Sequence, residues 1–311
     1  MAGSGHGNKA VVAALLANSG IAVAKFFGFV VTTSGAMLAE AIHSVADAGN
    51  QALLLLGGKR ARRRASTEHP FGYGRERYFW AFVVAMVLFS LGGAFAIYEG
   101  ISKIRDPHEL ESPSVALIIL GVAIVLEAFS FRTAIREARL IKGDAGWWEF
   151  IRRSKNPELP VVLLEDLGAQ VGLVFAFAAV VIAEVSGNPV WDGYGTLAIG
   201  VLLTVIAAIL AVEMKSLLIG EGATPAVEQR VRNVVEADEA AIRLIHMRTQ
   251  HLGPEELLVA MKVELVAHLS IREATIAIDR IEDNIRKAVP EARVVYVEPD
   301  VFDSARSDVP D

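Results

Sequence analysis

Apolar residues run together along the first two thirds of the chain and alternate with polar ones along the last third, and this change of period divides it in two. Six apolar stretches lie at roughly 10–32, 36–58, 79–104, 113–136, 160–185 and 195–218. Each is long enough, at more than the about 20 residues that a helix needs to cross about 30 Å of hydrocarbon, so six membrane-spanning helices are predicted. Short polar turns follow the first, third and fifth stretches, whereas KRARRRASTEHPFGYGRER follows the second and FRTAIREARLIKGDAGWWEFIRRSKNPEL the fourth. Lysine and arginine collect on the cytosolic side of such helices, which places both basic loops there. An even number of spans then puts both termini on the same side. Trp147, Trp148 and Trp191 stand near segment ends, where indole rings favour the headgroup layer.

After about residue 220 the period changes. EGATPAVEQRVRNVVEAD predicts an amphipathic helix with Val227, Val231, Val234 and Val235 on one stripe, its start marked by Thr224-Pro225. IRLIHMRTQHLG and ELLVAMKVELV alternate across a Gly-Pro turn and predict two strands; IREATIAIDRIEDNIRKAVP predicts a second helix and ARVVYVEPD a third strand. The order αββαβ implies a three-stranded sheet with two helices on one face. The expected domains are therefore 1–219, an all-α six-helix transmembrane domain, and 220–311, a small α+β domain. So small a domain buries a limited core, which favours packing against a second copy.

Composition agrees with membrane integration: 53% of residues are hydrophobic and 21% charged. The chain has no cysteine, which excludes disulfides, thiolate metal sites and cysteine nucleophiles and leaves His, Asp and Glu as the strong metal ligands. The net charge of −6 is modest. Beside a membrane helix, KRARRR reads as a topology determinant that contacts anionic lipid, and no nucleic-acid partner is expected. HPFGYGRER contains a GxG without the strand and helix of a dinucleotide loop, and reads as a tight turn. MAGSGHGNKA offers one lysine and no cleavage site, so the first helix is expected to remain in place.

Against this apolar background a few polar residues stand out. In SGAMLAEAIHSVADAGNQ, His43 and Asp47 are four residues apart, one turn above the other on a single helix face, a spacing that lets a helix hold one ion with two side chains. Charged groups cost about 3 kcal/mol at mid-membrane unless they face the protein interior or a water-filled cavity. A buried His–Asp hydrogen bond locking two helices is the simpler alternative. In LPVVLLEDLGAQVGLVFAF, Glu165 and Asp166 are adjacent, with Gln170 one turn beyond Asp166. Two acid-bearing helices can converge on one divalent cation. Glu165 lies about 100° around the helix from Asp166, so both touch the same ion only if the helix is rotated or bent there.

In order along the chain, SGAMLAEAIHSVADAGNQ, HPFGYGRERYFWA, YEGI and a last domain containing RLIHMRTQHLGP and closing on VYVEPD resemble the cation diffusion facilitators, from about Asn8 to Pro299. FIRRSKNPELPVVLLEDLGA resembles in particular the branch containing the animal zinc transporter 9. The resemblance implies a homodimeric metal/proton antiporter with six membrane helices and a cytosolic C-terminal domain of ferredoxin-like, metallochaperone-like type. It further implies a transport site from two His or Asp residues at HxxxD or DxxxD spacing on helix two and the same on helix five. His43 and Asp47 match the first pair; Asp166 matches the second position of the other, whose first position is Val162. Glu165, water or Asn50 can take the fourth place. Gln170 and Glu40 are candidates to orient the ligands, Glu40 being equally readable as an interior hydrogen-bonding group.

The family also implies peripheral metal positions. His69 in the basic loop and His246 in the last domain are the candidates, with Glu298 nearby. Lys262 and Tyr296 occupy places where histidine is common in relatives, which weakens metal sensing. His251 and His268 are expected at the surface or in turns. Lys25, Glu99, Glu127 and Glu184 are intramembrane or interfacial charges outside the site.

One imidazole with carboxylates favours Zn²⁺ as the transported substrate, with Mn²⁺, Co²⁺ and Fe²⁺ open, and no prosthetic group is expected. Uptake of metal by such ligands releases protons, with His43 and then Asp166 as carriers, and alternating access would expose the site to each side in turn. Export from the cytosol across a bacterial inner membrane is the expected setting. Two other classes are distinguishable: an intramembrane metalloenzyme with a zinc-bound hydroxide, which no HExxH motif or obvious nucleophile supports, and a non-transporting scaffold.

Overall fold

The structure is a computed structural model that describes residues 11–107 and 113–303, apart from 13, 14, 17, 21, 25, 28, 29 and 31–34, and only the backbone of 35–44. The chain forms two compact units. One contains the described residues up to Arg63 together with Glu76–Lys215; the other contains Arg64–Arg75 and the described residues from Ser216 onward.

In the first unit the described residues between 11 and 30 are helical, and six further helices follow: α1 (Gly35–Ala61), α2 (Glu76–Arg105), α3 (Pro113–Lys142), α4 (Trp147–Arg153), α5 (Glu158–Ser186) and α6 (Val190–Ile219). Among the described residues, α2, α3, α5 and α6 are long and apolar enough to cross a membrane, each 29 or 30 residues. Six were expected. The leading stretch lies partly outside the described residues, and α1 has the length, 27 residues, but Asp47, Asn50 and Gln51 dilute its apolar character. The helices also outrun the apolar runs that announced them. Helix α3 continues through RTAIREARLIK to Lys142, because arginine, glutamate and leucine are good helix formers and no glycine intervenes until Gly143. Hydropathy marks where hydrocarbon ends, not where the helix does. Helix α4 arises within the second basic loop, burying Phe150 and Ile151.

Helix α2 is interrupted by a π-helical turn at Leu88–Ala94, whose sequence carries Gly92-Gly93. Beyond it α2 lies unusually close to α6. A Cβ on Gly100 would sit 2.6 Å from the backbone nitrogen of Leu197, and one on Gly200 2.6 Å from that of Ile97. Backbone atoms cannot step aside, so glycine is required at both crossings. Lys103 and Asp192 close the same helix pair with a 2.9 Å ion pair. Ile118, Val122 and Phe129 point outward from α3, as suits a helix bathed in lipid.

The second unit has the predicted order: α7 (Pro225–Glu236), β1 (Ala241–Gly253), β2 (Glu256–Leu265), α8 (Ile271–Ala288) and β3 (Val294–Pro299). The sheet order is β1-β2-β3, antiparallel in the first pair and parallel in the second. Val227, Val231 and Val235 of α7 and Ile281 and Ile285 of α8 pack on Leu244, Leu257, Val259, Met261, Val263 and Val295 of the sheet. Ser270 and Glu273 form a reciprocal capping box at the start of α8. Residues 64–75 pack with this unit as a tight turn: Ser66 N–H and Gly72 N–H both donate to the His69 carbonyl. Gly74 lies so close to the β1–β2 hairpin that a Cβ there would stand 2.7 Å from the Leu252 carbonyl oxygen.

That packing corrects one expectation. His251 was expected at the surface or in a turn, yet it lies on β1 and is only 6% exposed, because Gly74 lies against Leu252 and Gly253 at this strand end. His268 lies in an exposed turn.

Candidate metal centre

Helical spacing puts Asp47, Asn50, Gln51 and Leu54 on one stripe of α1, and all four are buried. His43 and Glu40 occupy α1 one and two turns earlier, but their side chains lie outside the described residues. Glu165 and Asp166 of α5 are 4% and 2% exposed. The two acids have different partners, as expected of neighbours about 100° apart. Asn50 Nδ2 donates to Glu165 Oε1 at 2.7 Å, joining α1 to α5, whereas Ser130 Oγ donates to Asp166 Oδ2 at 3.0 Å, joining α3 to α5.

Glu127, one turn before Ser130 on α3, is close enough to interact electrostatically with both acids of α5, as is Asp47. Four carboxylates from three helices therefore share one neighbourhood. Glu127, read from sequence as a charge apart from the site, belongs beside it. Ser130 donates to Asp166, and Gln170, one turn beyond Asp166, has a buried Oε1 with no donor. Two more oxygens share this condition, Asn50 Oδ1 and Glu165 Oε2. Buried acceptors without donors are rare and costly, and a cation is one of the few things that satisfies several at once.

Asp47, Glu165 and Asp166 thus come together in one polar interior. Among the described residues no group of three or more His, Asp and Glu closes around a single metal position, and the tetrahedron with His43 falls outside them.

The peripheral candidates are engaged otherwise. His69 is an exposed turn residue whose ring lies 4.5 Å from that of Tyr73. On β1, His246 Nε2 accepts a 3.0 Å hydrogen bond from Arg248 and stands opposite Lys262 in the strand register. The Lys262 ammonium reaches Asp300 at 2.7 Å and Glu298 at 3.2 Å, and hydrogen bonds to first one and then the other hold it above its ordinary pKa. A tethered cation already serves the carboxylates near His246.

Residues 11–219 match the family profile described as the cation efflux transmembrane domain, and residues 223–300 that of the cation efflux protein, cytoplasmic domain. The chain is 34% identical over 240 residues to the proton-coupled zinc antiporter SLC30A9, mitochondrial, of Xenopus laevis, covering 76% of this chain and 43% of that protein. It is 30% identical over 251 residues to metal tolerance protein C4 of Arabidopsis thaliana, covering 80% and 55%. Over 177 residues it is 29% identical to the zinc transporter ZitB of Pectobacterium atrosepticum, covering 56% and 50%. The chain thus spans about half the length of these relatives.

Proposed function

This chain belongs to the cation efflux family, and from that premise we propose that it is a secondary transporter carrying divalent metal cations, Zn²⁺ before Mn²⁺, Fe²⁺ or Co²⁺, in exchange for protons. The observation that carries the reading is the junction of α1, α3 and α5, where Asn50 grips Glu165 and Ser130 grips Asp166 within reach of Asp47 and Glu127. Two ionised carboxylates about 4 Å apart repel by about 4 kcal/mol at an effective dielectric of about 20, so such a cluster holds either a cation or protons. That alternation is the exchange. Asp47, Asp166 and His43 bind the metal, Glu165 or Asn50 supplies the fourth oxygen, and His43 and Asp166 return to their protonated forms when the metal leaves. One imidazole among oxygens favours zinc, and three of the relatives are zinc or metal-tolerance proteins by name. Alternating access opens the site to one side at a time.

The residues up to 219 form the transport domain and 220–311 a cytosolic domain through which two copies associate. The basic loops and both termini face the cytosol, lipid headgroups contact the arginine run, and metal leaves the cytosol. A bacterial inner membrane is the proposed host, although the SLC30A9 relatives carry mitochondrial names. The test is Zn²⁺ uptake into proteoliposomes driven by a pH gradient. The wild type accumulates zinc while Asp47→Ala and Asp166→Ala do not; unchanged uptake in both variants would refute the proposal.

A further inference from the structure

One buried pair of charges takes no part in the cluster just described. Arg77, in the first turn of α2, donates through Nε to Glu158 Oε1 at 2.5 Å; the two residues are 9% and 2% exposed. Glu158 Oε2 is buried and accepts no hydrogen bond. Both residues stand at the C-terminal ends of the basic loops, where those loops pass into the membrane helices. Glu158 precedes Glu165 by seven residues, two helical turns, so it lies on nearly the same face of α5 and about 10 Å nearer that end. Val162 lies between them on that face, 2% exposed, one turn from each.

The charges are placed asymmetrically with respect to the helices. An acid in the first turn of α5 is favoured by the helix dipole, whereas a cation in the first turn of α2 opposes its own. Arg77 is therefore held by its partner. Its guanidinium covers one oxygen of a carboxylate aligned with the metal site and leaves the other bare.

Resting on the transport reading above, we infer that Arg77 and Glu158 form a charge gate across the path between the buried cluster and the compartment facing the basic loops. Closed, the guanidinium acts as a tethered cation that satisfies Glu158 and seals the column at Val162. Open, Glu158 is released to receive the arriving dication with the oxygen that has no other partner, and hands it to Glu165 and Asp166 two turns further in. The permanent charge of arginine suits this role, because it competes for the carboxylate at any working pH.

The chain has no cysteine, so a single introduced thiol can be followed without background. In metal-free proteoliposomes, Val162→Cys should react slowly with a membrane-impermeant maleimide applied from the basic-loop side. Adding Arg77→Gln or Glu158→Gln should accelerate labelling by about tenfold or more, since releasing one buried charge-assisted contact shifts a two-state gate by at least that factor. Arg77→Glu combined with Glu158→Arg should return the slow rate. Val180→Cys, buried on α5 beyond the cluster, should label slowly throughout, which separates gate opening from general loosening.

Labelling of Val162→Cys that ignores both single variants, or stays fast in the charge swap, overturns the gate. The same series in an Asp166→Ala background should open and close identically. The gate would then stand even if Zn²⁺ uptake failed to depend on Asp166, and such a failure would count against the transport reading alone.

Discussion

Replacing Asn50 by alanine probes the junction of α1 and α5 at its shortest contact. The amide Nδ2 lies 2.7 Å from Glu165 Oε1, and Glu165 Oε2 has no donor. Without Asn50, Glu165 Oε1 loses its hydrogen bond and, among the described residues, neither oxygen of a carboxylate that is 4% exposed keeps a donor. A hydrogen bond to a charged group contributes about 1.5–3 kcal/mol net. If that energy positions Glu165 for the metal, the KM for Zn²⁺ rises by about 10- to 150-fold with little change in maximal rate, at about 1.4 kcal/mol per tenfold. The assay is initial-rate Zn²⁺ uptake into proteoliposomes at a fixed pH gradient, run for Asn50→Ala, Glu165→Ala and the double variant. Asn50→Ala should cost nothing further once Glu165 is gone. Full additivity of the two effects, or a lowered melting temperature with unchanged KM, would show that the contact only staples helices and would refute the positioning role.

Other consequences are equally concrete. Gly100→Ala must push α2 from α6, because the new Cβ meets backbone 2.6 Å away; overpacking of this kind costs about 1–3 kcal/mol and should lower the melting temperature in detergent, whereas Gly121→Ala on α3, where a Cβ meets nothing within 4 Å, should not. Ser130→Ala removes the donor to Asp166 and should weaken Zn²⁺ uptake, with Ser130→Thr restoring part of it. In the second unit Arg280 grips Asp238 with two hydrogen bonds and holds its carboxyl below the ordinary value. A depressed folded pKa means stability that is present above the unfolded Asp value of about 3.9 and is lost as pH falls through the folded one. Amide protection of α8 should therefore drop as pH falls below about 5 and on through the lowered folded value, and Arg280→Ala should remove this contribution.

The pattern of the chain carried much of this. The change of period near residue 220, the valine stripe of α7 and the Gly-Pro hairpin are local signals, and local signals survive in a sequence. Asp47, Asn50, Glu165 and Asp166 were legible because polar groups in apolar helices need a reason. Ser130 and Glu127 were not, since their relevance arises only when α3 packs on α5, 36 residues separating Ser130 from Asp166. An intramembrane carboxylate one turn from a serine was the available signal. Arg77 and Glu158 were hidden for the same reason, 81 residues apart and each at the edge of a basic stretch that explains it by charge alone. The burial of His251 likewise depends on a loop nearly two hundred residues away in sequence.

The central claim is that acidic side chains from neighbouring membrane helices hold one dication in exchange for protons. Equilibrium Zn²⁺ binding to the full chain in detergent, with proton release recorded in the same titration, tests it most directly. The account predicts a zinc-binding step that releases protons and disappears in both Asp47→Ala and Asp166→Ala. Binding that persists unchanged in both variants, or that releases no protons, would contradict it.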